Sequence, residues 1–400
     1  MTKILNLVLS TVLESDYNTG DPIRETGLNL IKKYNDNNIV NSFFLYVIKL
    51  GDKHCTKIDY GNAFTIGQGI LHSVKKEILE RVRNNTVKIL ISWPMESFLQ
   101  DRIFELMHSY FKYHNIPNSN VIYLSCCPNG KELYNAYCQH NNISEKLNIE
   151  YIPWYLYSST IYKSKEYVPG RRKKKFFNLN RRMHLHRMLF VLKVFKEKLN
   201  DNFYISFPNS QPNSKEKFLD IAMNNHLRYL QEYNIDENDI TEFNKLLPLR
   251  IDIKEWNTYP LPIKSEKLDV YYQNSLFSIV SETYFFSKII HLTEKTFKPI
   301  INRHPFIMIS APYTLRKIRE FGFKTFGDII DESYDEIEDD ELRFDTIMNL
   351  VREISLWGPR RISQVSVQIK EIVDFNYDLM QSRPRFELNS FIEKYGVECR

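Results

Sequence analysis

Two glutamates, a threonine and a lysine lie close together in the second half of the chain. The apolar run Ser278-Ile-Val-Ser-Glu-Thr283 ends in Glu282, and His291-Leu-Thr-Glu-Lys-Thr-Phe-Lys-Pro-Ile300 follows, with Thr293, Glu294 and Lys295 where a helix should begin. Thr293 suits an N-cap, the first-turn amides and Lys295 can meet a phosphate, and the two carboxylates can accept hydrogen bonds from sugar or ribose hydroxyls. The same residues also suit an ordinary capped surface helix in which Glu294 and Lys298 pair at i,i+4. A second group stands about a hundred residues upstream. In Lys174-Lys-Phe-Phe-Asn-Leu-Asn-Arg-Arg-Met-His-Leu-His-Arg187 an apolar strand runs straight into Arg181 and Arg182. A guanidinium at a strand end can fork onto a pyrophosphate, although a solvated basic turn would look the same. Arg187, on the helix that follows, ranks behind them. His184 and His186 lack the i,i+4 spacing of a helical metal pair.

Both groups need strands to hold them at one edge of a sheet. Short apolar runs predict strands at 43–50, 87–92, 121–125 and 149–153, after a first strand near the start of the chain, with helical patterns at 70–84, 100–114 and 131–139 between them. The alternation restarts with strands at 175–180, 203–207, 276–281 and 305–310. Helices are expected at 184–199, across 214–247, near 294–302, and through the acidic region and the tail. Strands alternating with helices imply parallel sheets with right-handed crossovers. The expected fold is therefore α/β, with two Rossmann-like domains facing across a cleft. Their expected bounds are 1–165 and 173–375, and a helical tail over 376–400 is expected to pack back on the first domain. In such sheets ligands sit at the strands' carboxyl ends, where both charged groups fall.

Composition narrows the class. A chain of 400 residues with 43% hydrophobic and 14% aromatic content and only 12 glycines fits a folded, two-domain globular protein rather than a repetitive one. No run approaches the ~20 apolar residues of a membrane span. The start reads as a strand and not a signal peptide. The five cysteines form neither a disulfide framework nor a zinc spacing, so a cytoplasmic location is expected. The net charge of +5 is mild, with a basic knot at Arg171–Lys175 and an acidic stretch from Asp328 to Glu341. The abundance of Asn, Lys and Ile points to an AT-rich, viral type of genome. No isolated Asp-x-Asp pair follows a strand, and Asp339-Asp340 reads as part of a solvated acidic face. No metal and no cofactor are expected.

Val-Ser-Glu-Thr, a short aromatic gap and Leu-Thr-Glu-Lys-Thr-Phe-Lys-Pro-Ile resemble the α-1,3-fucosyltransferase family, whose signature places Thr-Glu-Lys just after an upstream glutamate. Similar segments occur in glycosyltransferase-like proteins of phages and large DNA viruses. The resemblance covers about 35 residues closely and about 140 loosely, and it implies the GT-B architecture. It implies further that Glu294 and Lys295 contact a nucleotide-diphosphate sugar, that Glu282 lies near its sugar or ribose, and that Arg181 or Arg182 binds the diphosphate. His291 stands where the family has an aromatic residue, which leaves fucose specificity open.

Such an enzyme needs a base for the acceptor hydroxyl. Glu96, in Ser92-Trp-Pro-Met-Glu96 after a strong strand, is the candidate, with Asp59 and His72 as alternatives and an ordinary helix-start glutamate as its plainer role. Gly67-Gln-Gly69 lacks the full dinucleotide fingerprint, and Ser125-Cys-Cys-Pro-Asn-Gly-Lys131 lacks P-loop spacing. The expected partners are a nucleotide sugar and a glycan or other hydroxyl acceptor. One alternative is a viral enzyme that glycosylates hydroxymethylated DNA bases, with the basic knot and Arg181-Arg182 on phosphates. Another is a module that binds a glycan or nucleotide without turnover.

Overall fold

The structure, a computed structural model, describes residues 4–8, 42–49, 69–71, 74, 76–93, 101–153, 155–156, 165–211, 216–251 and 266–382. The chain divides into two compact units, with the boundary between Ser158 and Ser159 and the second unit running to Arg383. Each is an α/β unit on a parallel sheet, as the alternation of elements requires.

In the first unit β1 (Ile4–Val8), β2 (Ser42–Lys49), β3 (Val87–Trp93), β4 (Val121–Ser125) and β5 (Asn148–Tyr151) pair in sequence order, all parallel. All of β4 is buried, which is why it reads as an unbroken apolar run rather than an alternation. Helices α1 (Lys76–Arg83), α2 (Asp101–Tyr113) and α3 (Gly130–His140) lie between the strands in sequence. On α2 the buried residues Ile103, Phe104, Met107, Tyr110 and Phe111 follow the helical period of one apolar face. Glu96, Asp59, His72 and Gly67 lie outside the described residues.

The second sheet is wound differently. Strands β6 (Lys174–Leu179), β7 (Phe203–Ser206), β8 (Ser275–Ser281) and β9 (Phe306–Ile309) are parallel in the order β7-β6-β8-β9. Helix α4 (Leu185–Lys196) is buried nearly all round, from His186 to Leu192 and at Val194. The expected helix across 214–247 is broken into Phe218–Asp220, a π-helical Ile221–His226, Leu227–Glu232 and α5 (Glu237–Asn244). Helix α6 (Glu266–Asn274) was not expected. Its Leu268 and Tyr272 pack on Phe177, and two apolar residues one turn apart are too few to show a period. Then come α7 (Glu294–Ile301), α8 (Thr314–Glu320), α9 (Asp340–Ser355) and α10 (Pro359–Ser382). Residues 376–382 form the last turns of α10, and the rest of the expected tail lies outside the described residues.

The acidic stretch is largely exposed, Asp339 and Glu341 included, but Asp335 is not part of that solvated face. Asp335 is only 2% exposed, and its carboxylate accepts the amides of Leu315 at 2.8 Å and Arg316 at 2.9 Å, capping α8 from twenty residues away. The residue at the local cap position, Tyr313, has left-handed backbone (φ 64°) and makes no side-chain cap bond. Asp339 caps α9 through the Leu342 amide, and Asp340 pairs with the buried Arg343. Asp335→Ala is expected to lower stability by about 1–2 kcal/mol, the cost of losing a helix cap, seen as a lower melting temperature with a native circular-dichroism spectrum.

Candidate active site

In the second sheet β6 is followed by β7 on one side and β8 on the other. The chain therefore reverses direction across the sheet between β6 and β8, and a crevice opens at their carboxyl ends, the place where open α/β sheets bind ligands. Asn180, Arg181 and Arg182 follow β6, while Ser281 ends β8 and Glu282 follows it. Asn178 and Ile279 are register partners, so Asn180 and Ser281 come level two residues further on.

Glu282 is 1% exposed, and its carboxylate turns onto the amino end of α7. One oxygen accepts the Thr293 amide at 3.0 Å, the Thr296 amide at 3.1 Å and the Thr296 hydroxyl at 2.6 Å. The other accepts the Thr283 amide at 3.2 Å, and the Thr293 hydroxyl lies 2.8 Å from it. Lys295 Nζ sits 3.7 Å from Glu282 and donates to the Thr293 hydroxyl at 2.9 Å. Thr293 also caps the helix by accepting the Lys295 amide. Of the α7 amides expected to face a phosphate, that of Thr296 is thus turned toward a carboxylate of the chain itself and that of Lys295 onto the Thr293 hydroxyl. Sequence could place Glu282 near Thr293, but it could not show that the first anion at this helix end is internal.

The amino end of α4 clamps the same corner. Arg187, 3% exposed, donates to the carbonyls of Ser281 at 3.0 Å and Glu282 at 3.1 Å. His186, also 3% exposed, lies 2.9 Å from the Glu282 carbonyl through Nε2, which must donate because a carbonyl only accepts. Its ring stacks on Phe285 at 5.9 Å, and Arg343 holds the Phe285 carbonyl at 2.8 Å, so the β8–α7 loop is pinned from two sides.

At the corner three cations, Arg182, Arg187 and Lys295, meet two carboxylates, Glu282 and Glu294. Burial lowers the Arg187 guanidinium to about 10, with Glu282 and Glu294 opposing and Arg182 adding to the shift, so it stays charged at neutral pH. Burial first, and then Arg187, His186, Lys295 and Arg182, push His184 down to about 2. Burial and Arg187 bring His186 to about 3, and burial lowers His291 to about 4. Burial works to raise Glu294, but Lys295 and Lys298 outweigh it and hold the carboxyl at about 2. Lys295 lies 3.4 Å from Glu294. The structure thus brings Arg182, Glu282, Thr293, Glu294 and Lys295 into one electrostatic neighbourhood, together with Arg187. Arg181 is half-buried and precedes the exposed Arg182 in the turn after β6. The signal that would have raised Arg187 in rank was its place in a helix buried all round, where an arginine needs a partner.

Three buried polar atoms at this corner have no hydrogen-bond partner: Asn180 Oδ1, Arg187 Nε and Ser281 Oγ. Each such group costs about 1–3 kcal/mol unless something satisfies it. Helix α4, in contrast to α7, has no side-chain cap bond at His184 and no acidic residue in its first turn. Its positive end therefore carries no side-chain cap and no first-turn carboxylate of its own. Among the described residues no group of three His, Cys, Asp or Glu side chains could hold a metal ion, and no helix is long and apolar enough to cross a membrane.

No protein-family model matches the chain, and no curated protein matches it in sequence. Among solved structures it is similar to a trehalose-6-phosphate synthase, with 9% identity and a TM-score of 0.40 over 94% of this chain and 76% of the other. It is also similar to the DNA-modifying enzyme β-glucosyltransferase, solved with and without uridine diphosphoglucose, with 9% identity and a TM-score of 0.31 over 94% and 98%. A third similarity is to T4 phage BGT in complex with UDP and Mn²⁺, with 9% identity, a TM-score of 0.28 and the same coverage. Likeness this distant carries no functional inference, and function has to be argued from the site.

The buried imidazoles of His186, His291 and His304 are all held well below the 6.5 of a free histidine, chiefly by burial. The unfolded chain then binds protons that the folded chain refuses, so their contribution is complete above about pH 6.5 and is lost as pH falls below it. Stability is expected to drop between about pH 6.5 and 4, by about 1.4 kcal/mol per pH unit for each histidine. His186→Gln should flatten the slope by about one proton in denaturation curves collected across that range.

Proposed function

We propose that the chain is a nucleotide-sugar-dependent glycosyltransferase whose second unit holds the donor's diphosphate at the turn from β6 into α4. The observation that carries this reading is the pairing of groups left unsatisfied at the switch point. The Arg187 Nε–H, with Arg182 and the uncapped α4 amino end, suits a phosphate, while Asn180 Oδ1 and Ser281 Oγ suit a hydroxyl. A ligand that bears a diphosphate and hydroxylated rings presents both. Lys295 adds a third cation and the ionised Glu294 an acceptor for a ring hydroxyl. Glu282 and Thr293 take positioning roles, since their polar atoms are already engaged within the protein.

In the transfer step the acceptor oxygen loses its proton to a base and bonds to the anomeric carbon, while the carbon–oxygen bond to the diphosphate breaks with its electron pair. Negative charge then builds on the leaving diphosphate, where fixed guanidinium and ammonium groups stabilise it most. Glu96 in the first unit is the proposed base. A glycan or other hydroxyl compound is the proposed acceptor. A DNA-base acceptor gains no support from the basic knot, because Lys174 and Lys175 donate to the carbonyls of Asp201 and Trp357. The knot also precedes or begins β6, about 20 Å along the strand from Arg181 and Arg182. His291, 4% exposed at the family's aromatic position, gives no ground for assigning fucose as the sugar.

Incubation with a panel of nucleotide sugars should release free nucleoside diphosphate from at least one of them. Arg187→Gln and Arg182→Gln are each expected to weaken binding of that diphosphate by about 10- to 100-fold in calorimetry, the worth of a charged hydrogen bond. Unchanged affinity in both folded variants would falsify the placement of the diphosphate.

A further inference from the structure

The opposite end of the second sheet carries a separate cavity. The chain leading into β6, the end of α6 and the residues after α7 enclose a space of about 380 Å³. Four cations line it, Lys165, Arg171, Arg172 and Arg303, against two carboxylates, Glu166 and Asp269. Lys165 is 3.5 Å from Asp269, and Arg303 is paired with Asp374 while its guanidinium stacks 3.9 Å over Tyr377. That leaves Arg171 and Arg172 against Glu166, an excess of one positive charge.

Arg172 is fixed before any ligand arrives. Its guanidinium lies 4.8 Å over the Tyr167 ring and donates to the carbonyls of Val168 at 2.7 Å and Arg171 at 3.3 Å. A guanidinium held in this way loses little freedom on meeting an oxyanion, and its remaining N–H groups can fork onto it. The lining also offers acceptors. Asn274 and Asn302 each donate one amide N–H, to the carbonyls of Val270 and Lys298, both at 2.7 Å, and each brings to the lining an Oδ1 that can accept from a hydroxyl. A volume at the lower end of the range for small-molecule sites fits a compact ligand and not a duplex.

We propose that this cavity is a second binding site, for a small phosphorylated ligand that also carries hydroxyls, such as a sugar monophosphate. It is independent of the donor reading, since none of its lining residues belongs to the β6–α4 corner. Helix α7 spans the two places, with Lys295 at one end and Asn302 and Arg303 following the other, about 12 Å along its axis.

Calorimetric titration of the full chain with glucose 6-phosphate and with inorganic phosphate tests the proposal. Glucose 6-phosphate is expected to bind the native protein and Arg187→Gln alike, and at least about tenfold more weakly to Arg171→Gln/Arg172→Gln, which should keep native affinity for the nucleoside diphosphate. Arg171→Gln alone, a change to an exposed side chain, should still weaken binding severalfold and serves if the double variant fails to fold. Undiminished affinity in the folded Arg171→Gln and double variants, or no binding to the native protein, overturns the site. Equal affinity for inorganic phosphate and glucose 6-phosphate overturns the part assigned to the hydroxyls.

Discussion

The Glu282 carboxylate, sealed between the end of β8 and the start of α7, accepts hydrogen bonds from the amides and hydroxyls of Thr293 and Thr296 and lies beside Lys295. A buried charge costs several kcal/mol unless its partners are complete, so this carboxylate dictates where the loop from residue 283 to 292 can run. The same residue's carbonyl receives His186 and Arg187 from α4. One glutamate therefore ties together β8, α7 and α4, and the positions of Arg187, Glu294 and Lys295 follow from it.

That arrangement also divides the work between two helix amino ends. Helix α7 is neutralised from within by Glu282, which lets Thr293, Glu294 and Lys295 sit in one defined geometry. Helix α4 has no cap or first-turn carboxylate of its own at its positive end, and Arg182 and Arg187 lie close by. The histidines at the corner add no charge of their own, because burial and the neighbouring cations keep them neutral.

The described strands of both sheets are all parallel, but the sheets differ in winding. The first adds its described strands in one direction, while the second reverses between β6 and β8. Only a reversal leaves adjacent strand ends uncovered by a crossover, and the charged cluster lies at that point. The fold makes such a crevice available, but the chemistry depends on which side chains line it.

Most of the elements were legible in the sequence. The buried parallel strands showed as short apolar runs and α2 and α4 as helical patterns, because side-chain periodicity is a local property. The run from Glu282 to Lys295 and the strand-end arginines were legible as well, down to the capping role of Thr293. The short helix α6, the breaks within 218–244 and the burial of Asp335 were not, since each depends on packing against residues far along the chain. Sequence alone determined which residues could carry charge to the end of a strand. Only the tertiary structure decided that Glu282 faces inward, that Arg187 joins Arg182 at the corner, and that Arg171 and Arg172 belong to the other end of the sheet. A side chain's partners, and hence its role, are set by strand order and helix placement, which local periodicity does not encode.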